Sequence, residues 1–258
     1  MIRDIYHEKF RLGVTMNYAI VFAGGVGSRM KSPDLPKQFI EVNGKPIIVY
    51  TLEHFQKHQD IKEIVVVCLE QWIPHMLKLV AQFKLCKVLK VVKGGSTGQE
   101  SIYKGLCALE GIAQPDDVVL LHDGVRPIID AELISNNINS VKEFGNAISV
   151  SGATETVCLI DSGSEASDHH ISKILNRNNC YIGRAPQSFH YSEIMECHKK
   201  AIEDNYTTAV DSASMLEHYG HELFFVPCSH FNIKITTPTD LYLFQCYENT
   251  KKRAGNAG

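Results

Sequence analysis

Four near-continuous apolar runs of strand length constrain this chain more than any other feature: YAIVFAG (18–24), IVVVCL (64–69), VLKVV (88–92) and VVLLHD (118–123). A strand with one wet face alternates apolar and polar residues. These runs do not alternate, so each is expected to be covered on both faces, as in a parallel sheet. Between them, PIIVYTLEHFQKH (46–58), WIPHMLKLVAQF (72–83) and ESIYKGLCAL (100–109) carry apolar residues at helical spacing. The βαβα order predicts an α/β fold with a doubly wound sheet.

The pattern changes after about residue 147. AISVSGA, ETVCLI and HISKIL are short and extended, and the polar stretch DSGSEASDHH (161–170) interrupts them. They read as a protruding β-arm, about 150–180, with the polar stretch at its tip. Helices resume at 191–204 and 211–220, where Asp211 reads as an N-cap. NIKIT (232–236) reads as a last strand, and Thr237, Pro238 and Asp240 open a final helix as N-cap, first helical residue and first-turn acid. No domain linker or repeat is visible. One domain is expected over 17–250, after an N-terminal extension (1–16) and before a polar tail (251–258).

A formal net charge of -3 and the lack of a lysine/arginine block argue against nucleic-acid or membrane-surface partners. No apolar run approaches the ~18 residues of a membrane helix. The charged first sixteen residues do not read as a signal peptide. The eight cysteines are scattered without a C-x-x-C pair. Reduced thiols and a cytoplasmic location are expected.

The turn AGGVGSR (23–29) follows the first strand. Glycines let backbone N–H groups approach an anion closely. Arg29 and Lys37 add full positive charges, with Pro33 and Pro36 stiffening the segment between them. A dinucleotide fingerprint wants a third glycine opening a helix, and a P-loop wants G-K-[ST]; neither is present. Amides plus two cations suit a triphosphate that must shed pyrophosphate. Asp123 in HDGVRP closes a buried strand, where open α/β sheets place ligands, and a carboxylate there suits Mg²⁺. Arg126 is placed either to hold that loop or to meet phosphate.

G-G-x-G-x-R-M followed by P-K-Q resembles sugar nucleotidyltransferases, specifically the cytidylyltransferases that activate polyol phosphates. GGSTGQES, HDGVRP, NRNN…APQSF, DSASMLE and NIKITTPTDL recur in that family's order over about 18–247. The resemblance points to the 2-C-methyl-D-erythritol 4-phosphate and D-ribitol 5-phosphate enzymes. It implies a Rossmann-like nucleotidyltransferase fold with a mixed, mostly parallel sheet, CTP and a polyol phosphate as substrates, Mg²⁺ as cofactor and a homodimer through the arm. It implies CTP binding by Ala23, Gly24, Gly25, Gly27, Gly94, Gly95, Ser101 and Asp123. Arg29, Lys37 and Lys234 would be catalytic. Thr156, Arg177, Arg126 and Lys234 would bind the polyol phosphate, with Thr156 and Arg177 reaching across the dimer.

Two stretches depart from the family. Thr97 to Glu100 replace a stretch that commonly holds an arginine, and Ala185 replaces the threonine of T-P-Q. The AGG at 23–25 is closer to the ribitol-phosphate enzymes. Three other readings are transfer to another sugar phosphate, a non-catalytic nucleotide-binding scaffold and an NAD-dependent oxidoreductase.

Overall fold

The computed structural model describes residues 15–24, 35–160 and 170–255. Its centre is β1 (Asn17–Ala23), which pairs in parallel with β4 (Ile61–Cys68) on one side and β6 (Val118–Asp123) on the other. Outside β4 lies β5 (Val88–Lys93), also parallel. On the other flank, β10 (Tyr181–His190) runs antiparallel to β6, then β7 (Asn146–Gly152) antiparallel to β10, then β11 (Phe225–Pro227) parallel to β7. The sheet order is therefore β11-β7-β10-β6-β1-β4-β5. The expected mixed, mostly parallel α/β sheet is present.

Side-chain alternation along the strands divides the core in two. Ala19, Val21, Ile64 and Val66 face one side, where they meet α1 (Ile47–Lys57), α2 (Ile73–Gln82) and α4 (Ala131–Phe144) through Leu52, Phe55, Met76 and Ile138. Ile20, Val65 and Val67 face the other, against α3 (Gly98–Cys107), α5 (Tyr191–Glu203) and α6 (Ser212–His218) through Leu106, Ile194 and Met215. Helices on both faces explain why these strands are apolar without alternation. A third cluster, Val42, Ile47, Val125, Ile235 and Phe244, seats α7 (Pro238–Gly255) beside two short strands, β2 (Glu41–Val42) and β3 (Lys45–Pro46).

Three expectations are corrected. VLKVV is not covered on both faces: β5 is the edge strand, and Leu89 and Lys90 are exposed. AISVSGA belongs to the main sheet as β7 rather than to the arm, because β10 pairs with it from Gly152 to Asn146. The hairpin β8 (Cys158–Ile160) and β9 (Ile171–Ile174) pair only with each other among the described residues. NIKIT is not a strand; its backbone bonds to loops, as in Ile235 N–H to Val125 O at 2.9 Å. Helix α4 escaped notice, though Asp130 caps it through Leu133 N–H and Gly145 ends it at φ 94°. The C-terminal helix starts as read: Asp240 accepts from both Thr237 N–H and Thr237 O–H, and Asp240 N–H donates back to Thr237.

Helix α3 approaches the sheet through Gly105. A Cβ there would sit 2.6 Å from Ile20 Cγ2 and 2.9 Å from Val67 Cγ2. Alanine would gain about 1 kcal/mol of helix propensity, while overpacking typically costs about 1–3 kcal/mol. Gly105→Ala is therefore expected to lose roughly 1 kcal/mol net, lowering Tm by about 2–4 °C. A melt at or above the wild-type temperature would show that α3 shifts freely on the sheet.

His198 on α5 is buried, stacks on Tyr103 of α3 at 6.0 Å, and has no hydrogen-bond partner for Nε2 among the described residues. Burial pushes its pKa down to about 4. Between about pH 6.5 and 4 the unfolded chain takes up a proton that the folded chain refuses, so stability falls as pH falls through that window. The loss is on the order of 3 kcal/mol. Buried His122, also pushed down to about 4, titrates in the same window, so thermal melts across pH 4–7.5 should show the summed slope and His198→Phe should remove about half of it; an equally steep slope in the variant would clear His198.

Candidate active site

Strands β1 and β6 pair in register from Asn17 with Val118 to Phe22 with Asp123, so their carboxyl ends open side by side. In an open parallel sheet this is where ligands bind, since the strands stop and the following loops diverge. A cavity of about 590 Å³ lies there.

One wall follows β1. Gln38, fully buried, donates through Nε2 to Ala23 O at 2.6 Å and ties a tight turn, Lys37–Phe39, to the strand's end. Phe39 anchors that turn by stacking on Trp72 at 5.1 Å. Lys37 is thereby held in the cavity lining with only 8% of its surface exposed. Ala23 and Gly24 line the same wall. Gly25, Gly27 and Arg29 lie outside the described residues.

A second wall follows β5. Gly94 N–H donates to Cys68 O at 2.8 Å, and a Cβ on Gly94 would stand 3.1 Å from Ser101 Oγ. Ser101 Oγ accepts from Gly95 N–H at 3.0 Å and donates to Thr97 O at 2.8 Å. Gly95 and Ser101 line the cavity, whereas Gly94 sits behind it and shapes the turn. The unusual stretch 97–100 builds this loop from within. Thr97 caps α3 through Glu100 N–H at 3.0 Å. Glu100 folds back onto Ser96 N–H at 2.6 Å and pairs with Lys104 at 2.8 Å. Those bonds, Lys104 first, bring the Glu100 pKa down to about 2. Gln99 reaches Tyr206 O at 2.8 Å.

The third wall carries the charge. Asp123 accepts from Lys234 Nζ at 2.7 Å on one oxygen and from Arg126 Nε at 2.8 Å on the other. Burial alone would raise the Asp123 pKa, but the ammonium of Lys234 and the guanidinium of Arg126 outweigh it and hold it at about 2. Arg126 also donates to Asn232 O at 2.9 Å, and Asn232 Nδ2 donates to Ala185 O at 2.6 Å. NIKIT is thus stitched to the ends of β6 and β10, and Lys234 reaches the cavity from a loop. Arg126 thus ties NIKIT to the end of β6 and also lines the cavity.

Thr156 and Arg177 do not join this set. Both are exposed and absent from the cavity lining, and Arg177 Nη1 donates to Thr154 O at 3.1 Å. Gln187 is a further lining residue that sequence reading passed over. Its Nε2 donates to Asp211 at 2.7 Å and its Oε1 accepts from Ala213 N–H at 3.1 Å, fixing the start of α6 against β10. The signal was the PQSF run itself. Asp211 is the N-cap expected, in a reciprocal box with Ser214.

No group of three His, Cys, Asp or Glu side chains gathers among the described residues. Mg²⁺ needs only one or two carboxylates beside substrate phosphates. Asp123 offers one carboxylate whose oxygens keep spare lone pairs, which fits a metal shared with a phosphorylated substrate.

A sequence model of 2-C-methyl-D-erythritol 4-phosphate cytidylyltransferase matches residues 17–249. The chain belongs to this family. It is thus a nucleotidyltransferase of the cytidylyltransferase type. The chain is 47% identical to a ribitol-5-phosphate cytidylyltransferase of Streptococcus agalactiae serotype Ia, over 92% of this chain and 97% of that one. It is 44% identical to a ribitol-5-phosphate cytidylyltransferase of Vibrio parahaemolyticus, over 92% and 98%. It is 37% identical to a 2-C-methyl-D-erythritol 4-phosphate cytidylyltransferase of Clostridium botulinum, over 89% and 96%. Among solved structures, a 4-diphosphocytidyl-2C-methyl-D-erythritol synthase of Anaerococcus prevotii superposes with a TM-score of 0.77 at 25% identity, covering 91% of this chain and 99% of that one. The Francisella tularensis 2-C-methyl-D-erythritol 4-phosphate cytidylyltransferase gives 0.73 at 28%, covering 90% and 100%. Among the described residues no helix is long and apolar enough to cross a membrane.

Proposed function

We propose that this family member transfers the cytidylyl group of CTP to D-ribitol 5-phosphate, forming a CDP-polyol and releasing pyrophosphate. The observation that carries the reading is one cavity where Lys37, the amide-rich loop after β5 and the Asp123–Arg126–Lys234 cluster converge. The higher identities to relatives named for ribitol-5-phosphate support that acceptor over methylerythritol phosphate.

A phosphate oxygen of the acceptor attacks the α-phosphorus of CTP, and the bond to the departing pyrophosphate breaks. The acceptor phosphate is already deprotonated, so no general base is required. What the site supplies is position and cancelled charge. Two unit charges 4 Å apart interact by ~4 kcal/mol at an effective dielectric of 20, so two polyanions cannot meet without cations. Lys37 takes the triphosphate side, with Ala23, Gly24, Gly95 and Ser101 supplying close backbone and hydroxyl contacts; the family resemblance assigns Arg29, Gly25 and Gly27 to the same role. Lys234 and Arg126 meet the acceptor phosphate from the Asp123 side. Asp123 would hold Mg²⁺, which supplies further charge neutralisation on the phosphates.

Thr156 and Arg177 fit this reading as donors to a partner's cavity in a homodimer. The exposed Leu159, Ile160, Ile171 and Ile174 of the arm support such a contact. All eight cysteines are free thiols, in keeping with a cytoplasmic location. Pyrophosphate release from CTP and Mg²⁺ with ribitol 5-phosphate and methylerythritol 4-phosphate side by side tests the reading. Faster turnover of ribitol 5-phosphate is expected. Turnover of methylerythritol phosphate alone would reverse the substrate, and no release with any polyol phosphate would remove the activity.

A further inference from the structure

We propose that Arg184 grips the phosphoryl group of the acceptor and makes the site selective for a phosphomonoester dianion. The proposal rests on the cytidylyl-transfer reading of this cavity. It starts from the strand that carries Arg184. On β10, Gly183 pairs with Val150 of β7 and Gln187 pairs with Ile148. Three residues, 184 to 186, therefore stand opposite the single residue Ser149. Such a bulge breaks the ladder and re-aims side chains. On the other edge, β10 pairs with β6 only as far as Gln187 with Leu121. The bulged residues thus sit past the ladder, beside the β6 end that bears Asp123, and both Arg184 and Ala185 line the cavity.

The guanidinium is held from behind. Its Nε donates at 3.0 Å to Oγ of Ser151, a residue only 2% exposed. Among the described residues its terminal nitrogens take no hydrogen bond and no carboxylate pairs with it. That leaves the planar edge of the fork, the part that matches two phosphate oxygens at once. Ala185 beside it presents no polar side-chain atom.

Charge completes the argument. Asp123 serves both Arg126 and Lys234, one on each oxygen. Arg184 is left as a third cation, and burial together with the nearby positive charge of Arg126 lowers its pKa. These three cations outnumber the two carboxylates of the lining, Asp123 and Asp211, of which Asp211 is turned to Gln187 and its own helix. A phosphomonoester dianion answers the excess positive charge. A neutral polyol would leave guanidiniums facing each other in a half-buried site, which disfavours it.

Steady-state kinetics of Arg184→Ala should show KM for ribitol 5-phosphate raised at least tenfold, with KM for CTP within about twofold. Arg184→Lys should recover part of the loss, because charge remains while the fork is gone. A rise in KM for CTP instead, or no change in either constant, would overturn the assignment. A direct measurement keeps the question separate from turnover. By calorimetry, glycerol 3-phosphate and inorganic phosphate should bind the wild-type chain at least tenfold more tightly than the alanine variant, while free ribitol distinguishes nothing between them. Equal affinities, or no phosphate binding by wild type, would also overturn it. Failure of wild-type turnover with this binding difference intact would sink the proposed reaction and spare the phosphate contact. Matching melting curves exclude misfolding as the cause.

Discussion

Replacement of Lys37 by alanine is expected to lower kcat by roughly 10²–10³, the range seen when one preorganised donor to a developing negative charge is removed. The structure explains why one lysine should matter so much. Its turn is tied to the end of β1 by Gln38 and packed down by Phe39 on Trp72, so the cation is positioned before substrate arrives. A flexible surface lysine would first lose side-chain entropy on meeting a triphosphate. The same anchoring predicts that Gln38→Ala, which keeps every charge, should also slow the reaction, though less. A Lys37→Ala enzyme retaining more than about a third of wild-type kcat would exclude the residue from the chemistry.

Asp123→Asn is expected to damage both stability and activity. The carboxylate is the common acceptor for Lys234 and Arg126. Arg126 is buried, so loss of its partner leaves an uncompensated charge away from water. Removing one member of a buried pair costs about 3–5 kcal/mol. Because Asp123 keeps some solvent contact, the low end, ~3 kcal/mol, is the better figure, equivalent to a Tm loss of about 6–12 °C. Activity should fall by at least about 10²-fold as Lys234 loses the partner that aims it. Calorimetric melts and an initial-rate assay check the two parts separately. A variant melting within about 2 °C of wild type would show that Asp123 is not what holds the NIKIT loop in place.

Most of the sheet was legible. Ile20, Val21, Val65 and Val66 are apolar in unbroken succession because helices cover both sides of the central strands, and that burial is written directly into composition. Strand β10 was not legible, although it lies inside the sheet. Its sequence, YIGRAPQSFH, contains a glycine, a proline and an arginine; a bulge absorbs Arg184 and Pro186, and Gly183 stands at its edge. Helix α4 was missed because AELISNNINSVKEF carries a thin apolar stripe and three asparagines, one of which, Asn137, is buried only because Ser149 and Ser188 reach it across the sheet.

The candidate site divides the same way. Lys37 and Asp123 could be found from the chain alone, since glycines after a strand and an acid at a buried strand's end have local causes. Lys234 could not be located by period: alternation in NIKIT suggested a strand face, whereas its ammonium meets Asp123 from an irregular loop. Ser101 lines the cavity, and its hydroxyl also holds its own loop, a second role that the chain alone did not reveal.

Local order along the chain was enough to specify the strand–helix alternation, the glycine turns and the caps at Asp211 and Thr237, because each depends on neighbours a few residues away. The convergence of residues 37, 123, 126, 184 and 234 on one cavity was decided by folding alone. Those side chains come from four separate segments, brought to one cavity by the tie of Gln38 to Ala23, the pairing of β10 with β6 and the stitching of Asn232 to Ala185 and Arg126.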